Sequence, residues 1–120
     1  MKIFVSGSRS IKKLPKNAIE ALDRIIAQGF TVLVGDCYGT DALVQEYLTV
    51  QQYENVLVYH IGSRPRFNIG FEAVKVDGRR QIDKDAEMGR TADYGLAVWD
   101  GVSPGTRKNI AFVKTRIVLA

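Results

Sequence analysis

The chain has 120 residues and a formal net charge of +4, with 46% hydrophobic and 25% charged residues. That length suits a single domain over residues 1–120 whose core needs no staple, and the composition excludes a disordered or fibrous chain. One cysteine, Cys37, excludes an internal disulfide. No signal-peptide core follows Met1, and no apolar run approaches the ~20 residues of a membrane span, so a cytoplasmic protein with no membrane contact is expected.

The basic balance favours anionic ligands without separating a nucleotide from a nucleic acid, because only Lys12-Lys13 and Arg79-Arg80 are adjacent cations in an otherwise dispersed set. Lys2 to Ser6 is apolar, partly β-branched and stopped by Gly7-Ser8-Arg9-Ser10, which predicts a short buried strand. Pro15 suits a first helical turn, where its missing N–H would be unpaired in any case. Ile19, Leu22, Ile25 and Ile26 then fall at helical spacing until Gln28-Gly29 ends the run. Phe30 to Val34 is continuously apolar rather than alternating, as a strand covered on both faces of a parallel sheet should be. Gly39-Thr40-Asp41 opens a second helix with Ala42, Leu43, Tyr47 and Leu48 inward, and Asn55 to Ile61 is a third strand. Val44 and Tyr47 are the candidates for a helix contact in a homo-oligomer, or else core.

Residues 62–78 are irregular, with Arg64-Pro65-Arg66 as a loop and Phe71 to Val76 as a short extended segment. A helix over Arg79 to Thr91 has Ile82, Ala86 and Met88-Gly89 for packing. Tyr94 to Trp99 is a buried strand, about Thr106 to Lys114 a helix, and Arg116 to Leu119 a last strand. This order predicts an α/β fold, a Rossmann-like three-layer α/β/α arrangement with a mostly parallel central sheet.

Three strands end in glycine-containing polar turns: Gly7-Ser8-Arg9-Ser10, Gly35 to Asp41, and Asp100 to Thr106. In a parallel sheet all three share the C-terminal edge, where open α/β folds take ligands. Glycine lets the backbone approach a phosphate; Ser8, Ser10, Thr40, Ser103 and Thr106 add donors, and Arg9 adds charge. Tight βα turns use the same residues for structure alone, with Thr40, Asp41 or Thr106 as helix caps. Convergence on one edge is what points to a phosphate-bearing ligand. Neither G-x-G-x-x-G nor G-x-x-x-x-G-K-[ST] occurs, and a lone His60 and a lone Cys37 argue against a zinc site or a serine-histidine triad. No cofactor is required; Mg²⁺ is expected only in company with phosphates. In the mixed-charge run from Arg79 to Met88 the structural assignment is a solvated helix face. The functional one turns Arg80 or Lys84 to the phosphate and lets Asp85 orient a ribose hydroxyl or a cation. Asp85 and Glu87 lie about 200° apart on a helix, so at most one faces a pocket.

Together these segments resemble the SLOG superfamily, the Rossmann-like group that includes LOG-type phosphoribohydrolases and the DNA-processing DprA proteins, and most of all its small YspA/YpsA-related branch. The matching pieces are Val5-Ser6-Gly7-Ser8-Arg9, Val34 to Asp41, Lys84-Asp85-x-x-Met88, and the order A-D-x-x-L-A-x-W-D-G-x-S-x-G-T from Ala92 to Thr106. The resemblance implies a nucleotide pocket lined by Gly7, Ser8, Arg9, Gly35, Asp36, Gly39, Asp41, Ser103, Gly105 and Thr106, in a sensor or ligand-binding module. LOG-type enzymes carry a double glycine and then a glutamate where this chain has Ser103-Pro104 and Arg107-Lys108-Asn109, a departure from the pattern for LOG-type hydrolysis. A second likeness, to nucleoside deoxyribosyltransferases, implies an enzyme acting at an N-glycosidic bond, with Asp36, Asp85 or Asp100 as the carboxylate. The DprA likeness implies nucleic-acid binding as a further alternative.

Overall fold

In the computed structural model residues 1–120 are described. The elements run β1 (Lys2–Gly7), α1 (Lys16–Gln28), β2 (Thr31–Gly35), α2 (Thr40–Val50), β3 (Val56–His60), β4 (Glu72–Lys75), α3 (Gln81–Thr91), β5 (Tyr94–Trp99), α4 (Pro104–Ile110) and β6 (Thr115–Leu119). The six strands form one sheet in the order β4-β3-β2-β1-β5-β6. Every pairing is parallel, including the β4 and β6 edges, so the sheet is entirely rather than mostly parallel. No helix is long and apolar enough to cross a membrane.

Strand side chains alternate between two cores. Ile3, Val5, Val32, Val34, Val56 and Val58 face Ala18 and Leu22 of α1 and Val44 and Leu48 of α2. Phe4, Leu33 and Tyr59 point the other way, onto Met88 of α3. Apolar side chains on both faces explain why β1, β2 and β3 read as continuous runs. Gly89 lets α4's exit loop close on α3, since a Cβ there would lie 2.3 Å from Phe112 Cβ. Helix α1 ends at Gly29, whose φ of 69° lets its N–H reach back to the Ile25 and Ile26 carbonyls.

The elements depart from the sequence reading in several respects, beyond shifts of one or two residues at the ends of β2, β3 and α3. Pro15 is the residue before α1 rather than part of its first turn. Val44 is completely buried in the core, so it is not available to an oligomer contact, whereas Leu43 and Tyr47 are half-buried. Helix α3 buries Lys84, Met88 and Gly89, while Ile82 and Ala86 are only half-buried. Helix α4 begins at Pro104 and ends at Ile110.

Adjacent strands β3 and β4 are joined by residues 61–71 with no helix, and a buried glutamine holds that crossover in place. Gln45 Nε2 donates to the Gly35 carbonyl (3.1 Å) and the Phe67 carbonyl (3.3 Å), while its Oε1 accepts the Ile69 N–H (3.1 Å). Leucine at this position would leave those groups without their side-chain partner, at a cost of about 1–3 kcal/mol each when buried. Gln45→Leu is therefore expected to reduce hydrogen-exchange protection at Ile69 well before β2 or β5 loses any. Unchanged protection at Ile69 would show that the crossover is held by packing alone.

Candidate functional site

The chain leaves β1 toward β2 on one face and leaves β5 toward β6 on the other. These two strands are neighbours, so their connections diverge and open a crevice at the C-terminal edge. A cleft of about 510 Å³ lies there. One wall is Ser6 to Ser10, and the facing wall is Ser103 to Thr106 with Asn109. Gly35, Cys37 and Asp41 close it on the β2 side, and Arg66, Gln81, Lys84, Asp85 and Met88 on the α3 side.

The three polar turns are knitted together beneath this cleft. The Ser8 carbonyl accepts the Thr40 hydroxyl (2.9 Å) and the Ser8 N–H donates to Val98 O (3.0 Å). Ser8 Oγ accepts the Asp100 N–H (3.1 Å) and stands 3.4 Å from the Thr106 hydroxyl. Two glycines make the approach possible. A Cβ on Gly7 would fall 2.4 Å from Thr40 Cγ2, and Gly39, at φ 85°, lies against the Arg9 backbone, 2.5 Å from its Cα. Gly105 differs: a Cβ there would meet no protein atom within 4 Å, so that position borders open space.

Charge is concentrated on the α3 side of the floor. Asp36, 1% exposed, accepts from the Arg66 backbone N–H (2.8 Å), from Arg66 Nη2 (2.8 Å) and from Lys84 Nζ (3.2 Å). Burial alone would raise this carboxyl, yet Arg66 and Lys84 outweigh it and hold it down at about 2. Lys84, 2% exposed, also stands 3.7 Å from Asp85 Oδ1. Asp41 Oδ2 and Lys84 Nζ both lie within 3 Å of the point a Gly35 Cβ would occupy, which crowds a third carboxylate onto the same ammonium. Burial pushes the Asp41 carboxyl up to about 7 against the pull of Lys84 and the Cys37 N–H. Asp85 is likewise raised by burial, opposed by Lys84, Arg66 and Asn109. With its amide nitrogen turned to the acceptors, Asn109 donates to Asp85 Oδ2 (3.2 Å) and to the Gly105 carbonyl (3.3 Å), joining α3 to α4.

Of the residues singled out by sequence, Gly7, Ser8, Arg9, Gly35, Asp41, Lys84, Ser103, Gly105 and Thr106 line the cleft, as does Asp85. Gly39 and Asp36 support it from behind. Arg80 is exposed at the approach to α3, 3.9 Å from Asp83. Lys84 offers little free charge to a phosphate, because Asp36 and Asp85 already hold its ammonium. Asp100 lies outside the cleft lining. Hydrogen bonds from the Ser103 hydroxyl and N–H, the Val102 N–H and the Ser10 hydroxyl hold its carboxyl well below the usual carboxylate range. That carboxylate organises its own turn. Trp99 donates its indole N–H to the Ser103 carbonyl (3.1 Å) and carries Arg107 over its ring, which places it behind the turn. His60 is buried at the end of β3, and Glu87 is turned away from the cleft toward Arg90.

Arg66, Gln81 and Asn109 were not anticipated. Arg66 carried one signal, a cation on a loop that follows a parallel strand; its partner Asp36 is 30 residues away and only the fold joins them. No group of three or more His, Cys, Asp or Glu is arranged to hold a metal ion. No protein-family model matches the chain, and no curated protein matches it. The fold and cleft thus define the class, a parallel α/β domain with a polar crevice where its strand order reverses.

Proposed function

We propose that this protein binds a nucleotide or a nucleotide-derived phosphate ligand in the crevice between β1 and β5, as a sensor or ligand-binding module. The observation that carries the reading is the convergence of Gly7-Ser8-Arg9 and Ser103 to Thr106 on two walls of one cleft of about 510 Å³. That volume is within the usual range for small-molecule pockets. Open space beside the Gly105 backbone on one wall and the Arg9 guanidinium on the other suit the approach of a phosphate ester.

The test is a thermal-shift screen across nucleoside mono-, di- and triphosphates, ADP-ribose, and cyclic and dinucleotides, with product analysis of each hit. Ligand at about 100 times Kd should add about 2.7 kcal/mol of apparent stability. Gly105→Val projects its side chain into open space, so it should abolish the shift while leaving the unliganded melting temperature within a few degrees. Arg9→Ala should weaken binding as well. If both variants bind as the parent does, the ligand lies elsewhere.

One observation favours a second reading, an enzyme acting at a nucleotide N-glycosidic bond. Asp85 lines the cleft beside a buried ammonium, and burial raises its carboxyl, as a general acid requires. In that case a bound nucleotide is consumed, and Asp85→Asn binds without turnover.

A further inference from the structure

The two ends of the sheet differ in charge. Residues 8–15, 36–39, 61–66, 76–80 and 100–103, at the C-terminal edge, carry seven Lys and Arg against three Asp. Two of those acids are neutralised locally: Asp36 by Arg66 and Lys84, and Asp100 by the hydrogen bonds of its own turn. At the opposite edge, residues 29–30, 51–55, 92–93 and 111–114 carry one Lys against one Glu and one Asp. The positive field is gathered around the mouth of the cleft.

Two arginines of the mouth have charge to give, while Arg80 stands exposed beside Asp83. Arg9 lines the cleft on one side and has no carboxylate within 4 Å, and neither has Arg79. Arg79 and Arg80 lead directly into Gln81, which lines the other side and accepts from Arg66 Nη2 at 2.9 Å. Inside, the polarity reverses. Asp41 and Asp85 line the floor, and both cations there are already committed, Arg66 to Asp36 and Lys84 to Asp36 and Asp85. Three carboxyls against two cations leave that floor no surplus positive charge for an anionic group, whereas neutral hydroxyl or amino donors would meet acceptors.

We propose that the ligand is an elongated polyanion of the nucleotide class, a nucleoside di- or triphosphate or a pyrophosphate-linked dinucleotide. It enters neutral end first onto Asp41 and Asp85 and lays its phosphates along the rim arginines Arg9, Arg79 and Arg80. This rests on the nucleotide reading above and adds the number of phosphates and the orientation.

The test is titration calorimetry with one nucleoside and its mono-, di- and triphosphate, at low and at physiological salt, on the parent and on an Arg79→Ala/Arg80→Ala double variant. Both positions are exposed, so the fold tolerates the change. Affinity should rise about tenfold or more from mono- to triphosphate and weaken with salt. The double variant should lose that gain while its monophosphate Kd stays within about twofold of the parent's. Equal affinities for mono- and triphosphate overturn the proposal and leave the nucleotide reading standing. Absence of any binding in the series overturns both. Inorganic tripolyphosphate binding as tightly as the nucleoside triphosphate would put the affinity in the rim alone, against the proposed entry. A single-stranded oligonucleotide that displaces the triphosphate, with affinity growing with its length, would assign the rim to nucleic acid and overturn it too.

Discussion

Lys84→Met should lower stability by about 3–5 kcal/mol near neutral pH, the range seen when one partner of a buried charge cluster is removed. The ammonium is 2% exposed and stands 3.2 Å from Asp36 and 3.7 Å from Asp85, with Asp41 sharing the same small space beside Gly35. Methionine fills the volume of the stem, so the loss is electrostatic rather than a cavity. Three carboxyls would be left with Arg66 as their only cation. Their response makes the prediction specific: without Lys84 they take up protons on folding, so the deficit should shrink as pH is lowered to about 5. Urea unfolding of parent and variant at the two pH values measures this. A deficit that is the same at both would mean that Lys84 acts through packing of its stem.

The parent itself should have an unusual pH profile. Asp41 is raised in the folded protein, from 3.8 to about 7, so between these values the folded chain holds a proton that the unfolded chain has released. Stability therefore falls as pH rises through that window, and Asp85 adds to the same slope. Asp36, depressed to about 2, works in the opposite sense: its contribution is present above the unfolded value of 3.8 and is lost as pH falls toward 2. The maximum should then lie on the acid side of neutrality. Asp41→Asn keeps an acceptor for the Cys37 N–H and removes the titration. It should flatten the decline between about pH 4 and 7, a difference on the order of a few kcal/mol at the upper end. A parent at least as stable at neutral pH as at about pH 5 would contradict this.

Much of the architecture was legible in the chain. Phe4, Val5, Val32 to Val34 and Leu96 to Val98 are apolar without alternation, which only a sheet covered on both faces requires. The glycine turns after β1, β2 and β5 gave the edge on which to look. Helix α2 misled because Val44, Tyr47 and Leu48 are compatible with more than one inward face until its neighbours are known; α1 and the 61–71 crossover decide it. The ionic floor could not be read locally at all. A lysine in a run such as Arg79-Arg80-Gln81-Ile82-Asp83-Lys84-Asp85 has the composition of a solvated helix, and its burial depends on an aspartate 48 residues earlier. Arg66 was hidden in the same way, since an irregular loop gives no periodicity from which to infer a direction.

The central position of β1 has a kinetic consequence. It pairs with β2 on one side and with β5, some 90 residues later, on the other, and no hairpin links any two adjacent strands. Chains built from such distant contacts fold slowly for their size, because loop closure precedes the contacts that reward it. Ser8 meets Thr106 only when both ends of the chain have joined the sheet. A nascent chain that has emerged as far as β4 has neither the second wall of the cleft nor a partner for one side of its first strand. The cleft thus forms as an all-or-none event, late in assembly, and a partly folded chain has only one of its two walls.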